Sequence, residues 1–426
     1  MYQLNSAPVE VSFRATWRQL ARVRVTRNVW YLGATSLLTD VSSEMVTSVL
    51  PVYLFLHLRM TPLAFGGIDG VYQGAAAVVR TGAGFVADRW RQYKLVAALG
   101  YALSALSRLG LMTFGAGWSI VGVLAVDRLG KGIRTAPRDT LIAESVAREH
   151  LGTAFGVHRS LDAAGAMLGP LVAFALLALL PGRFDVVFST SLWIAIVGLA
   201  VLLLFVQPAP RVATGDPAPV LSWRAAVGLA AQPGFRSVLI AATGLSAGTV
   251  SDAFLYLTAQ QHGGLEATLL PLFYVGTPLC YFLLAGPVGV LADRIGRGVV
   301  FVGGHAVLLV LYGVLIATGL SRIGPLACVV LLGGFYAATD GVVAALASAR
   351  LPAAVRGTGL AVLATSASLA RVFASFAFGL IWTWHGTGAA LSLFALALAA
   401  GILVASRQLA ARTMESRRDT AADDEH

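Results

Sequence analysis

Charge is scarce in this chain. Asp, Glu, Lys and Arg make up 12% of its 426 residues, against ~25% in an ordinary soluble domain, which excludes a water-solvated globule as the basic design. Cysteine is scarcer still: Cys280 and Cys328 both fall inside apolar runs. They read as small packing residues, and a disulfide scaffold or cysteine zinc site is excluded. His57, His262, His305 and His385 are scattered along the chain, so no metal site is expected. The phosphate-cradling pattern G-x-x-x-x-G-K-[ST] is missing. The Gly-Lys-Gly of "DRLGKGIRT" has neither its spacing nor a strand before it, so an ATP-driven pump loses its signature. No nucleophile–base pair stands out, and neither an enzyme nor a cofactor is expected.

What fills the chain instead is apolar. Hydrophobic residues are 57% of it, and the mean hydropathy is +0.77. Apolar stretches of roughly 18 residues or more recur from end to end. The pattern predicts an all-α polytopic protein whose first partner is the lipid bilayer. Twelve spans are expected near 29–57, 63–87, 93–115, 117–144, 153–181, 185–207, 236–261, 267–291, 298–319, 324–349, 355–383 and 386–407. The 46 glycines suit such a bundle, because small residues let helix backbones approach in lipid.

The formal charge of +10 does not point to nucleic acid, because its distribution has another cause. Arg14, Arg18, Arg22, Arg24 and Arg27 precede the first run, and most other bases fall in alternate loops. The positive-inside rule then puts both termini in the cytoplasm. No A-x-A-like site follows the first run, so no cleavable leader is expected. A monomer in a bacterial inner membrane is the expectation.

The divisions follow. Residues 1–28 form a basic cytoplasmic segment, 29–207 a first six-helix bundle, 208–235 a cytoplasmic linker, 236–407 a second bundle, and 408–426 a polar tail. The linker region includes the proline-rich "QPAPRVATGDPAPV", which cannot span. The two bundles repeat one another. "GFVADRWRQ" corresponds to "GVLADRIGR", placing Asp88 and Asp293 205 residues apart. "GTAFGVHRS" and "GTGLAVLAT" begin at Gly152 and Gly357, the same offset of 205.

Three motifs resemble those of the major facilitator superfamily of secondary transporters. "GFVADRWRQ" is similar to the family's G-x-x-x-D-R-x-x-R loop with Arg91 one place early, and "GVLADRIGR" fits it better. "DRLGKG" matches R-x-x-x-G through Arg128 and Gly132. "GAMLGP" matches the helix-5 antiporter pattern G-x-x-x-G-P through Gly165, Gly169 and Pro170. "GKGIRTAPRD" resembles a branch of bacterial permeases with no assigned substrate. The resemblance implies a rocker-switch transporter gated by two loops. One contains Gly84, Asp88 and Arg89, the other Gly289, Asp293 and Arg294. It also implies proton-coupled efflux as the leading direction, with a symporter importing an organic anion as the nearest rival. A non-transporting receptor on the same scaffold is the alternative of another class.

The stretch "VDRLGKGIRTAPRDTLIAE" brings the scarce charge into the membrane. A charge at the bilayer centre costs ~2.5–3.5 kcal/mol on insertion scales. At about 100° per residue, Arg128, Lys131, Arg134 and Arg138 share roughly a third of the fourth helix's circumference, so they face the protein interior. Pro137 is expected to kink or end that helix. Asp40 and Glu44 share a face of the first helix. Arg80, His158, Arg159 and Asp162 add polar groups nearby. The second bundle offers Asp252, Asp340 and Arg371, with Tyr256 as a further cavity candidate; aligning "VSSEM" with "TVSDA" pairs Asp252 with Glu44. Three readings stand. In the first, Arg80, Arg128, Lys131, Arg134, Asp162, Tyr256, Asp340 and Arg371 bind a small-molecule substrate, with the helix-4 bases facing an anion. In the second, Asp40, Glu44 and Asp252 carry coupling protons. In the third, the charges pair with each other and hold helices together.

Overall fold

The computed structural model describes residues 26–72, 92–113, 118–147, 151–208, 228–317, 323–351 and 356–423. Among these residues every regular element is a helix. α1 (Arg27–Val52) ends in a π-helical turn, Tyr53–His57. α2 starts at 62 and is described as far as 72. α3 (Tyr93–Thr113), α4 (Trp118–Glu144), α5 (Leu151–Leu179) and α6 (Phe184–Phe205) follow. Then come α7 (Pro233–Ala247), α8 (Asp252–Gly263) and α9 (Leu270–Ile295). α10 (Arg297–Ile316), α11 (Gly324–Ser348) and α12 (Arg356–Asp423) complete the order. Two expected spans lie in α12, parted only at Gly386, whose φ of 83° suits a residue without Cβ.

The repeat seen in the sequence is also a repeat of helices. α10, α11 and α12 begin 204, 206 and 205 residues after α3, α4 and α5. α1 packs on α5 and α6, and α3 on α4 and α6. In the second part α9 and α10 pack on α11, and α7 and α10 on α12. The two sets meet where α5 and α1 touch α9 and where α1 touches α8. Residues 26, 208, 296 and 350 mark one end of the bundle, called proximal; the turns near 58, 181, 265 and 386 mark the distal end.

Eight helical stretches among the described residues are long and apolar enough to cross a membrane. α1 and α4 are long enough, with 26 and 27 residues, yet too polar to belong to that set. Their charge is turned inward, while Trp193, Phe282, Phe373 and Leu396 are exposed on the outside. Apolar residues outside and ionised ones inside is the arrangement hydrocarbon demands.

Two expectations need correction. Pro137 does not end α4, which runs on to Glu144. The proline removes only the amide that would bond the carbonyl of Ile133, and a packed membrane helix tolerates one missing rung. The span expected at 236–261 is not one helix, because Gly248, Thr249, Val250 and Ser251 part α7 from α8. The helical ladder fails there, and a side chain replaces it. The buried Tyr312 hydroxyl accepts the Val250 N–H at 2.7 Å and donates to the Gly248 carbonyl at 3.1 Å. Tyr312→Phe should therefore leave a buried amide unpaired and cost about 1–3 kcal/mol, seen as a lower unfolding temperature of the purified protein. An unchanged temperature would mean that the break does not need the hydroxyl.

Candidate functional site

The charge network is built from α4 outward. Asp127 is the hub. Its carboxylate pairs with Arg108 of α3 and with Arg128 at 2.5 Å. The other arm of Arg108 donates to Ser43 Oγ of α1 at 2.8 Å. The guanidinium of Arg128 also lies 3.8 Å over the ring of Tyr72, a cation–π contact, and Thr47 and the Tyr72 hydroxyl are hydrogen-bonded at 2.6 Å. Nearly two turns further along, Arg134 reaches Asp40 of α1 at 3.6 Å, donates to Ser104 Oγ at 3.1 Å, and sits over the Tyr101 ring. Next, Arg138 pairs with Asp139 at 2.8 Å and with Asp162 of α5 at 3.8 Å. Ser36 donates to Asp162 at 2.7 Å, and Arg159 approaches the same carboxylate from the exposed side at 3.5 Å. The stripe therefore faces the interior, and its arginines are bound one by one to acids of α1, α4 and α5.

This pairing leaves a remainder. Lys131 and Glu44 make no ion pair or hydrogen bond among the described residues. Both are half-buried and lie within each other's electrostatic reach. His158 is fully buried, and neither ring nitrogen has a partner among the described residues. The helix-5 motif supports the same spot. A Cβ at Gly165 would come 2.5 Å from the Leu37 carbonyl oxygen, and one at Gly169 would come 2.7 Å from that of Val41 and 2.9 Å from Glu44 Cβ. These two glycines set the closeness of α5 to α1 where Glu44 projects, and Pro170 is buried beside them.

The second bundle is sparser. Asp252 opens α8, and its carboxylate accepts the Tyr336 hydroxyl at 2.6 Å. Glu44, by contrast, stands within an unbroken helix, so the two aligned acids differ in setting. A cavity of about 350 Å³ lies between α7, α10, α11 and α12, with His305, Tyr336, Thr339, Asp340 and Arg371 in its wall. Asp340 and Arg371 share this cavity without an ion pair, and Arg371 Nε is buried without a partner among the described residues. Tyr256 does not line it; the ring packs against Phe273 and Tyr274. At the proximal end Asp293, in the last turn of α9, pairs with Arg297, the first residue of α10, at 2.9 Å; Arg294 is exposed and Gly289 half-buried. Arg80, Gly84, Asp88 and Arg89 lie outside the described residues.

Sequence reasoning missed two residues of this interior. Arg108 was findable as a lone base in the apolar third span. Asp69, in "GIDG" of α2, was equally findable as a lone acid; it is buried and hydrogen-bonded to Ser375 of α12.

The fold and the family resemblance agree with the comparisons. The chain belongs to the Major Facilitator Superfamily, whose family model matches residues 32–375. It is 29% identical over 370 residues to an uncharacterised MFS-type transporter of Methanocaldococcus jannaschii, covering 84% of this chain and 89% of that one. An uncharacterised protein of Mycobacterium tuberculosis is 28% identical over 292 residues, 65% of this chain and 70% of its own. In structure the chain is similar to the nucleoside transporter NupG, with a TM-score of 0.69 at 14% identity over 90% of this chain and 99% of that one. It is also similar to the peptide transporter POT in complex with sulfate, with a TM-score of 0.70 at 14% identity over 94% and 98%. The protein is thus a multi-pass membrane transporter, all-α, as the resemblance implied.

The two kinds of charge should respond differently to removal. Asp127→Asn strips the shared counter-ion from two buried arginines and should cost about 3–5 kcal/mol, read as lost folded yield and a lower melting temperature in detergent. Lys131→Gln breaks no pair and should melt close to wild type. Equal losses for both would mean that Lys131 is also a structural charge.

Proposed function

We propose that the protein is a secondary active transporter that works by alternating access and couples inward proton movement to export of a small organic solute bearing an anionic group. The observation that carries this reading is the charge remainder. Four arginines of the first bundle are matched with acids, and what is left over there among the described residues is one ammonium, Lys131, beside one carboxyl, Glu44. A structural network has no use for two half-buried charged groups that neither pair nor hydrogen-bond with those residues. A transport cycle uses the first to receive an anion and the second to take and release a proton.

The remaining roles follow from position. Asp40, salt-bridged to Arg134, and Asp252, held by Tyr336, are further proton carriers. Arg371 and Asp340 in the second-bundle cavity, with Arg128 and Arg134 behind Lys131, shape the solute's surroundings. The loop around Asp293 is a proximal gate, and its sequence counterpart around Asp88 is given the same role. The nucleoside and peptide transporters that share this fold favour a polar organic solute of modest size, and "GAMLGP" on α5 favours outward movement. The basic clusters favour cytoplasmic termini and a bacterial cytoplasmic membrane.

Glu44→Gln should abolish pH-driven uphill flux in proteoliposomes while counterflow exchange persists. Uphill flux that survives would remove Glu44 from coupling. Flux in the same direction as the protons would make the protein a symporter. Lys131→Ala, which should fold normally, should weaken binding of the anionic solute by roughly tenfold or more, the scale of one lost charge-assisted hydrogen bond. Unaltered affinity would assign the anion to Arg371.

A further inference from the structure

α2 and α12 join the two bundles at the distal end, and the join is unusually close. A Cβ on Gly66 would come 2.5 Å from the Ser375 carbonyl oxygen, and one on Gly70 would come 3.2 Å from that of Val372. Gly379 lies against the Pro62 carbonyl, and the Leu63 amide donates to Thr383 Oγ1 at 2.8 Å. Aromatic rings close the join above. Phe254 stands 4.8 Å from both Phe65 and Phe378, and Trp382 stands 5.4 Å from Phe55. One helical turn below Phe65, on the same face of α2, the buried carboxyl of Asp69 accepts the hydroxyl of Ser375 across the join.

The surroundings of that carboxyl are unusual in what they hold. No cation pairs with it among the described residues. From α12 it meets Ser375; from the start of α8, Ser251 and, within electrostatic reach, the acid Asp252; from α9, within the same reach, Tyr274. The only charged neighbour in this set has the same sign. Ser251 Oγ is buried and faces the carboxyl. An ionised carboxylate in such a place costs several kcal/mol, and hydroxyls without a paired cation among the described residues offset it only in part. A carboxylic acid costs far less, because one oxygen accepts from Ser375 and its own O–H has Ser251 to turn to.

We infer that Asp69 is a proton-binding site that locks the distal join: the join closes over the neutral acid and opens when Asp69 gives its proton to water. This deepens the alternating-access reading and rests on it. It adds a further coupling carboxyl, on α2, at a contact that must break for the bundles to rock. The sign follows. The closed join holds one more proton than the open one, so acid favours closure and alkali favours opening, by up to roughly tenfold in the open-to-closed ratio per pH unit.

The test needs no solute. Spin labels at Arg59→Cys and His385→Cys, both exposed distal positions outside the join, are placed in a chain lacking Cys280 and Cys328, and their separation is measured by electron–electron resonance through a pH titration. Wild type should gain a longer distance as pH rises. Asp69→Asn, which keeps an acceptor for Ser375 and a donor for Ser251, should stay short at every pH, and the infrared band of a protonated buried carboxyl should shrink in it. If Asp69→Asn titrates like wild type, another group holds the proton; alternating access survives and the Asp69 assignment falls. If neither protein shows a longer distance at any pH, the rocking motion itself is refuted and the inference with it.

Discussion

An ion taken into a hydrocarbon slab must bring its counter-ion along, and the interior of the first bundle is arranged by that requirement. Asp127 serves Arg108 and Arg128 together, Asp40 serves Arg134, and Asp139 and Asp162 serve Arg138. Three of these pairs, Arg108–Asp127, Arg134–Asp40 and Arg138–Asp162, are also cross-braces that tie α4 to α3, α1 and α5. Burial of paired ions is a weak source of stability. Its value here is discrimination: with these arginines paired, Lys131 and Glu44 are set apart as charges of the first bundle without an ion pair among the described residues.

The second bundle meets the same requirement with fewer ions. It interrupts a helix instead of adding bases. At the α7–α8 break, backbone groups that would be orphaned in lipid are taken up by Tyr312. The renewed helix presents its N-terminus next to Asp252, where partial positive charge favours an acid. One bundle thus balances charge with side chains and the other with backbone dipole and hydroxyls, although both descend from one repeated pattern.

Much of this was legible in the sequence. The span positions followed from apolar run length, and the repeat followed from a constant offset. The inward stripe on α4 followed from helical geometry alone. Partner choice was not legible, because pairing distances depend on how α3 and α5 lean on α4. Arg108, a single base between leucines, gains its meaning only when Asp127 stands opposite. The α7–α8 break escaped notice because no proline marks it. Its signal was faint: aligning Glu44 with Asp252 needs an offset of 208 where the loop motifs need 205, and the extra residues coincide with the non-helical stretch. Asp69 was visible as a lone acid in an apolar run, but its partner Ser375 lies in the other bundle, beyond the reach of local pattern.

The corner at Gly386 has a mechanical meaning. The limb of α12 before it forms the join with α2, and the limb after it packs against α7. Leu398 of that second limb lies where a Cβ on Gly248 would meet it at 3.1 Å, directly at the interrupted helix. The elbow between the limbs is one glycine, a residue whose backbone adopts many angles. On the proposed opening of the distal join, α12 could thus swing at that point while its second limb stays seated against the stretch where the described backbone of the second bundle is already unwound.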